Sequence, residues 1–135
     1  MDVLITLPKH LIEKIFSGEK TIEMRKSFPK KLEVGHDGFY VIEKGTNNVR
    51  CWCRISNTAE HIMLPVLLCK YQPKICVSKE YILKYAPPPK HVHFWVIAEV
   101  VELSGITRDK LGIHKNPQSY AYVLTKRSSV LKLPF

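Results

Sequence analysis

The sequence predicts an α+β domain: a small mixed or antiparallel β-barrel with two or three short flanking helices. Three observations lead there. Five or six segments read as strands, and they arrive mostly in succession rather than as strand–helix–strand units. The helical segments are short. The 135 residues, 45% apolar and 24% charged, suit one globular domain spanning 1–135 that can bury a core without a disulfide or metal.

Residues 3–6 (VLIT) read as a buried strand. Leu11, Ile12, Ile15 and Phe16 recur at helical spacing behind Pro8, and Gly18 is a natural stop, so 8–17 is an amphipathic helix. From Thr21 to Arg25 the period becomes two, which predicts a strand. Pro29, Lys30, Lys31 and Gly35 mark a loop. Residues 39–43 and 49–56 form a hairpin about the turn at 45–48. Residues 59–70 read as helical, interrupted at Pro65. Ser78 caps a helix through Ala86 with Tyr81, Ile82 and Tyr85 on one stripe, ended by Pro87, Pro88 and Pro89. Residues 91–103 are the longest strand. A turn at 107–111 precedes NPQSYAYVL (116–124), a loop entering a last strand.

Lys plus Arg is 21 against 12 Asp plus Glu, a net charge of +9. That excess biases the domain toward polyanions. No apolar run approaches a membrane span, so no membrane partner is expected. Asp2 and a short apolar run do not make a signal peptide. Cys51, Cys53, Cys69 and Cys76 are then expected as reduced thiols of a cytoplasmic protein.

The segment GEKTIEMRK (18–26) carries the densest charge on any strand candidate. Alternation places Thr21, Glu23 and Arg25 on one face, with Ile22 and Met24 turned to the core. Lys20 formally falls with the apolar side, unless its stem swings round at the Gly18 turn. The plain reading is a solvated face on which Glu23 and Arg25 partly neutralise each other. Cys51-x-Cys53 and His91-x-His93 each share a strand face, but that spacing has little zinc specificity. All four cysteines are read as core, and no metal or other cofactor is expected. Tyr120 and Tyr122 share a strand face near Gln118, Lys126 and Arg127, and tyrosines beside cations suit base stacking with phosphate attraction.

A helix stopped by glycine, then K-T-I-E-x-R, with P-Q-S-Y near the C-terminus, resembles the ASCH domain family of the PUA-like superfamily, in its stand-alone bacterial or phage form. Its signature G-x-K-x-x-E-x-R is matched by Gly18, Lys20, Glu23 and Arg25. LPKHLIEKIFSG is similar to the family's first helix. The resemblance implies a PUA-like barrel whose signature residues line a cleft, and it implies RNA or nucleic-acid binding. One bacterial branch hydrolyses the acetyl amide of N(4)-acetylcytidine, and ribonuclease activity is known for another member. In an enzyme, Lys20 would serve as base, with Thr21 as nucleophile or Glu23 as the base activating water. That branch has threonine where this chain has Glu23, and a neighbouring carboxylate keeps Lys20 protonated.

A binding module uses the same residues without any shifted pKa. Lys20, Arg25 and Lys26 meet phosphate or a base edge. Glu23 accepts from an exocyclic amine, and Gln118, Tyr120 and Tyr122 complete the surface. RNA or a nucleotide is therefore the expected partner, with DNA as the second choice. A protein-interaction domain is the third class, which the charge disfavours.

Overall fold

The computed structural model describes residues 1–62, 65–87 and 90–131. Six strands form one sheet: β1 (Val3–Leu7), β2 (Ile22–Arg25), β3 (Gly38–Glu43), β4 (Val49–Ile62), β5 (His91–Glu102) and β6 (Ala121–Tyr122). Four helices accompany them: α1 (Lys9–Ser17), α2 (Pro65–Ile75), α3 (Lys79–Tyr85) and α4 (Arg127–Leu131). Across the sheet the order is β2-β5-β4-β3-β1-β6. Only the β1–β3 pair is parallel among these neighbours. The sheet is mixed and curls into a half-barrel, so the chain has the α+β architecture that the order of elements predicts.

Curling has a local cause. β4 pairs with β5 from Cys51 to Ile62, and its register shifts on either side of Ile55. Bulges of this kind bend a strand and increase its twist. At the start of β3 the backbones pass so closely that a Cβ on Gly38 would lie 1.9 Å from the Cys53 carbonyl oxygen. No side chain fits there.

The sheet is covered on both faces. Val3, Ile5, Phe39, Val41, Cys51, Cys53 and Trp95 point inward, under Leu11, Ile12 and Ile15 of α1. Leu4, Tyr40, Ile42 and Trp52 point outward, beneath Val130 and Leu131 of α4. A third core joins Ile22, Met24, Val92 and Phe94 to Leu68, Ile75 and Ile82 of α2 and α3.

Pro8 caps α1, and its carbonyl accepts from Leu11 and Ile12 N–H. Gly18 ends the helix at φ 81°, its N–H on the Ile15 carbonyl, as the sequence indicates. Ser78 Oγ accepts from Tyr81 N–H at 3.1 Å and starts α3. Pro87 follows that helix, while the expected stops Pro88 and Pro89 lie outside the described residues.

The expectation for 59–70 needs correction. Residues 57–62 continue β4, because they pair with the strongly apolar start of β5. Pro65 then opens α2 rather than interrupting a helix, which is where a missing N–H costs least. α4 was not expected: five residues are too few to show a period, and it is fixed by burying Val130 and Leu131. No helix among the described residues is long and apolar enough to cross a membrane.

Candidate functional site in the open seam of the half-barrel

An open sheet has two edges, here β2 and β6. β6 pairs only with Val3 and Leu4, so the second half of β1 has no partner on that side. β2 approaches this uncovered stretch without pairing to it. The gap between them is a cleft of about 780 Å³. Thr6 and Leu7 of β1 form one wall, and Glu23, Met24 and Arg25 of β2 the other. His10 and Lys44 stand at one end, Asn116 to Gln118 run along another side, and Cys76, Tyr81 and Tyr85 close the α2–α3 side.

Arg25 bridges the seam. Its Nη1 donates to the Ser119 carbonyl (3.1 Å) and its Nη2 to the Thr6 carbonyl (3.5 Å). Its Nε and Nη2 both donate to Glu23 Oε2, at 3.2 and 3.1 Å. Four of the five guanidinium N–H groups are thereby directed. Among the described residues nothing accepts the second N–H on Nη1, and Arg25 lines the cleft.

Alternation correctly puts Glu23 and Arg25 on one face and Ile22 and Met24 on the other. The charged face is nevertheless the inner one. Glu23 pairs across the ladder with Trp95 of the inner core, and Met24 with Phe94 of the third core, under α2 and α3. Glu23 is 4% exposed and Lys20 2%, so the solvated-face reading of this strand does not hold. Lys20 swings round at the turn. Its Nζ donates to the Ile22 and Ile75 carbonyls, both at 2.8 Å, and lies 3.2 Å from Glu23 Oε1. All three ammonium hydrogens are occupied, and Lys20 does not reach the cleft wall. Ile75 ends α2, so the ammonium also meets the negative end of that helix. Met24 N–H donates to Glu23 Oε1 (3.2 Å), which gives each carboxylate oxygen two donors. Burial pushes the Glu23 pKa up, but Lys20 and Arg25 outweigh it and hold it below the ordinary carboxylate range.

The other candidate residues are divided. Gln118 lines the cleft. Lys26 Nζ sits 4.6 Å from the centre of the Tyr85 ring, at the cleft margin. Thr21 is held by its backbone between α2 and β5, through Lys74 and Ile97, and is not among the lining residues. Tyr120 and Tyr122 meet edge-to-face at 5.6 Å and pack on the inner core beside the seam. The Tyr122 hydroxyl accepts from Lys31 N–H at 3.2 Å. Cys51 and Cys53 are buried, Cys69 is exposed and Cys76 is intermediate, so the core reading holds for the first two. His91 and His93 register with the far end of β4, opposite Ile62 and Glu60, while Cys51 registers with Glu102. The two pairs therefore lie at opposite ends of the β4–β5 ladder and cannot share an ion.

Arg127 is committed elsewhere. It forks onto Asp2 at 2.9 and 2.8 Å, reaches Asp37 at 3.2 Å, and covers the Trp52 ring at 4.4 Å. Asp37 also accepts from the N-terminal ammonium at 2.6 Å. Burial raises the Asp37 pKa, but the ammonium, the Glu33 N–H and His36 together lower it to about 2. The Arg127→Ala substitution is expected to lower stability by about 2 kcal/mol, the range for charge-assisted hydrogen bonds. Urea denaturation would read this. An unchanged urea midpoint would show that the network contributes nothing.

Sequence reasoning missed Thr6, His10, Lys44, Asn116, Tyr81 and Tyr85 as cleft residues. Tyr81 and Tyr85 carried a signal, their i, i+4 spacing, but the spacing does not say which way the stripe faces. The others come together only through the seam.

No protein-family model matches the sequence, and no curated protein matches it. Among solved structures, the ASCH protein of Zymomonas mobilis superposes with a TM-score of 0.78 at 16% identity, covering 97% of this chain and 92% of that one. Two mutant forms of the same protein give a TM-score of 0.77 at 15% identity, over 97% of this chain. The likeness establishes the fold: the half-barrel is that of ASCH proteins, as the signature residues imply.

Proposed function

We infer that the seam cleft binds nucleic acid, taking an unpaired base or nucleotide, of RNA before DNA. The observation that carries this reading is the state of the Lys20–Glu23–Arg25 group. Lys20 is engaged by two carbonyls and Glu23, Glu23 is held ionised, and Arg25 lines the cleft with one N–H that no described residue accepts. That arrangement favours holding a ligand, since a guanidinium fixed in place needs no reorganisation to meet a phosphate or base edge. The cleft volume lies in the range of sites that enclose small ligands. The net charge of +9 supplies long-range attraction.

A hydrolytic reading, on N(4)-acetylcytidine or on RNA itself, asks for more. A base must be free to take a proton. Lys20 would have to shed its ammonium proton while facing Glu23, and Thr21 would have to turn into the cleft. Binding needs neither change.

The test is a titration of labelled single-stranded RNA, duplex RNA and DNA, repeated at rising salt. If about three phosphates are engaged, affinity for a single strand is expected to fall roughly 20-fold between 50 and 200 mM salt. Salt-independent binding would remove the phosphate contacts, and no binding at low salt would remove the reading. Incubation with N(4)-acetylcytidine runs in parallel. Release of cytidine, or cleavage of the RNA during the titration, would replace it by the hydrolase reading.

A further inference from the structure

Tyr81 is 54% exposed at the cleft mouth and belongs to none of the three cores of the described residues. Its ring is not randomly placed. It lies nearly parallel to Tyr85, with an interplanar angle of 11° and centroids 5.9 Å apart, an offset stack. Tyr85 is half-buried and packs on the α2–α3 core, so it anchors the pair. The Lys26 ammonium lies 4.6 Å from the Tyr85 ring centre, and Lys84 is exposed on the same helix. Both tyrosines line the same cleft as Arg25.

A lone exposed aromatic needs no explanation. Here an anchored ring, a second ring stacked parallel to it, and an adjacent exposed cation continue the cleft outward. A nucleobase has the same flat π-face, and its phosphate the opposite charge to Lys26. We propose that the Tyr81–Tyr85 ledge is a second base subsite, so that the ligand is a single strand of at least two nucleotides. One base sits in the seam beside Arg25, and its neighbour stacks on the outer face of Tyr81. This rests on the nucleic-acid reading of the cleft and makes it specific: a duplex, with its bases already stacked and paired, offers no free face.

Fluorescence anisotropy of a labelled single-stranded oligouridylate, with competition by unlabelled uridine monophosphate, tests it. Tyr81→Ala is expected to weaken oligonucleotide binding about 5- to 150-fold, the range for one stacked base. Binding of the monophosphate, held beside Arg25, is expected to weaken far less than that of the oligonucleotide. Tyr81→Phe keeps the ring and is expected to bind within about twofold of the parent. Tyr81→Ala is a change at an exposed position, and an unaltered melting curve separates lost stacking from lost fold. Three results overturn the proposal. One is Tyr81→Ala binding the oligonucleotide as the parent does. Another is equal loss for monophosphate and oligonucleotide, which would put Tyr81 in the first subsite. The third is polyglutamate competing as well as the oligonucleotide, which would mark an acidic-peptide surface. If Tyr81→Ala is neutral while Arg25→Ala still weakens binding, the ledge fails and the cleft reading stands. If the parent binds no nucleic acid at all, both fail.

Discussion

Replacing Lys20 by methionine is expected to destabilise the fold by about 3–5 kcal/mol, the range for removing one partner of a buried ion pair. Methionine fills the space of the lysine stem but supplies no hydrogen. Glu23 would keep only Arg25 as counter-charge inside a core that also holds Trp95 and Cys53. The Ile22 and Ile75 carbonyls would lose their Lys20 donor. The second loss matters for architecture, because Ile75 belongs to α2 and Lys20 lies beside β2. The ammonium is thus a tie between a helix and an edge strand. An exposed pair would cost a tenth of this, so the magnitude itself distinguishes the two. Urea denaturation measures it. A Lys20→Met protein with the parent's midpoint would mean that Lys20 is not structural, and its role would return to ligand contact. The double variant Lys20→Met with Glu23→Gln is expected to recover part of the loss, since it removes the stranded charge.

The same pair sets a pH dependence. The Glu23 pKa is lowered in the folded state. Its contribution to stability is therefore complete above the unfolded carboxyl value of about 4.3, and is lost as pH falls through the folded value. Asp37, lowered to about 2, acts in the same direction. Glu23→Gln is expected to be less stable at neutral pH but to lose less on acidification.

Much of this fold was legible because its signals are local. The α1 stripe with its Gly18 stop, the Ser78 cap and the β3–β4 hairpin all depend on neighbours in sequence. The errors share a different origin. Alternation at 21–25 says which side chains share a face, but only the closed geometry says which face is inside. Charge suggested outside. In a half-barrel covered on both sides no strand face of β2 is free, and the charges satisfy one another internally. The continuation of β4 through 57–62 is hidden for the same reason: Asn57, Thr58 and Glu60 look like loop or helix residues until β5 lies beside them. The tyrosines show it at the level of the site. Tyr120 and Tyr122 have cations near them in sequence, yet they pack beside the seam on the inner core. Tyr81 and Tyr85 show in sequence only as a helix stripe, and both line the cleft.

Arg25→Ala is expected to weaken single-stranded RNA binding about 10- to 100-fold, as the loss of one charge-assisted hydrogen bond with its electrostatic attraction does. Its effect on stability should be smaller than that of Lys20→Met, because Glu23 retains Lys20 at 3.2 Å. The informative variant is Arg25→Lys. It keeps the charge, so attraction at a distance survives. It cannot hold Glu23 Oε2, the Ser119 carbonyl and the Thr6 carbonyl in the planar fork that Arg25 uses. If Arg25 acts as a point charge, Arg25→Lys binds as the parent does. If it acts as the bolt across the seam, Arg25→Lys binds nearly as poorly as Arg25→Ala, with its salt dependence intact. The second outcome is the expected one. The β5 ladder holds β2 on its other side, but the seam has no backbone pairing between β2 and β1, so the spacing of the two cleft walls rests on that fork. Binding by Arg25→Ala equal to the parent would place the nucleic-acid surface outside the seam.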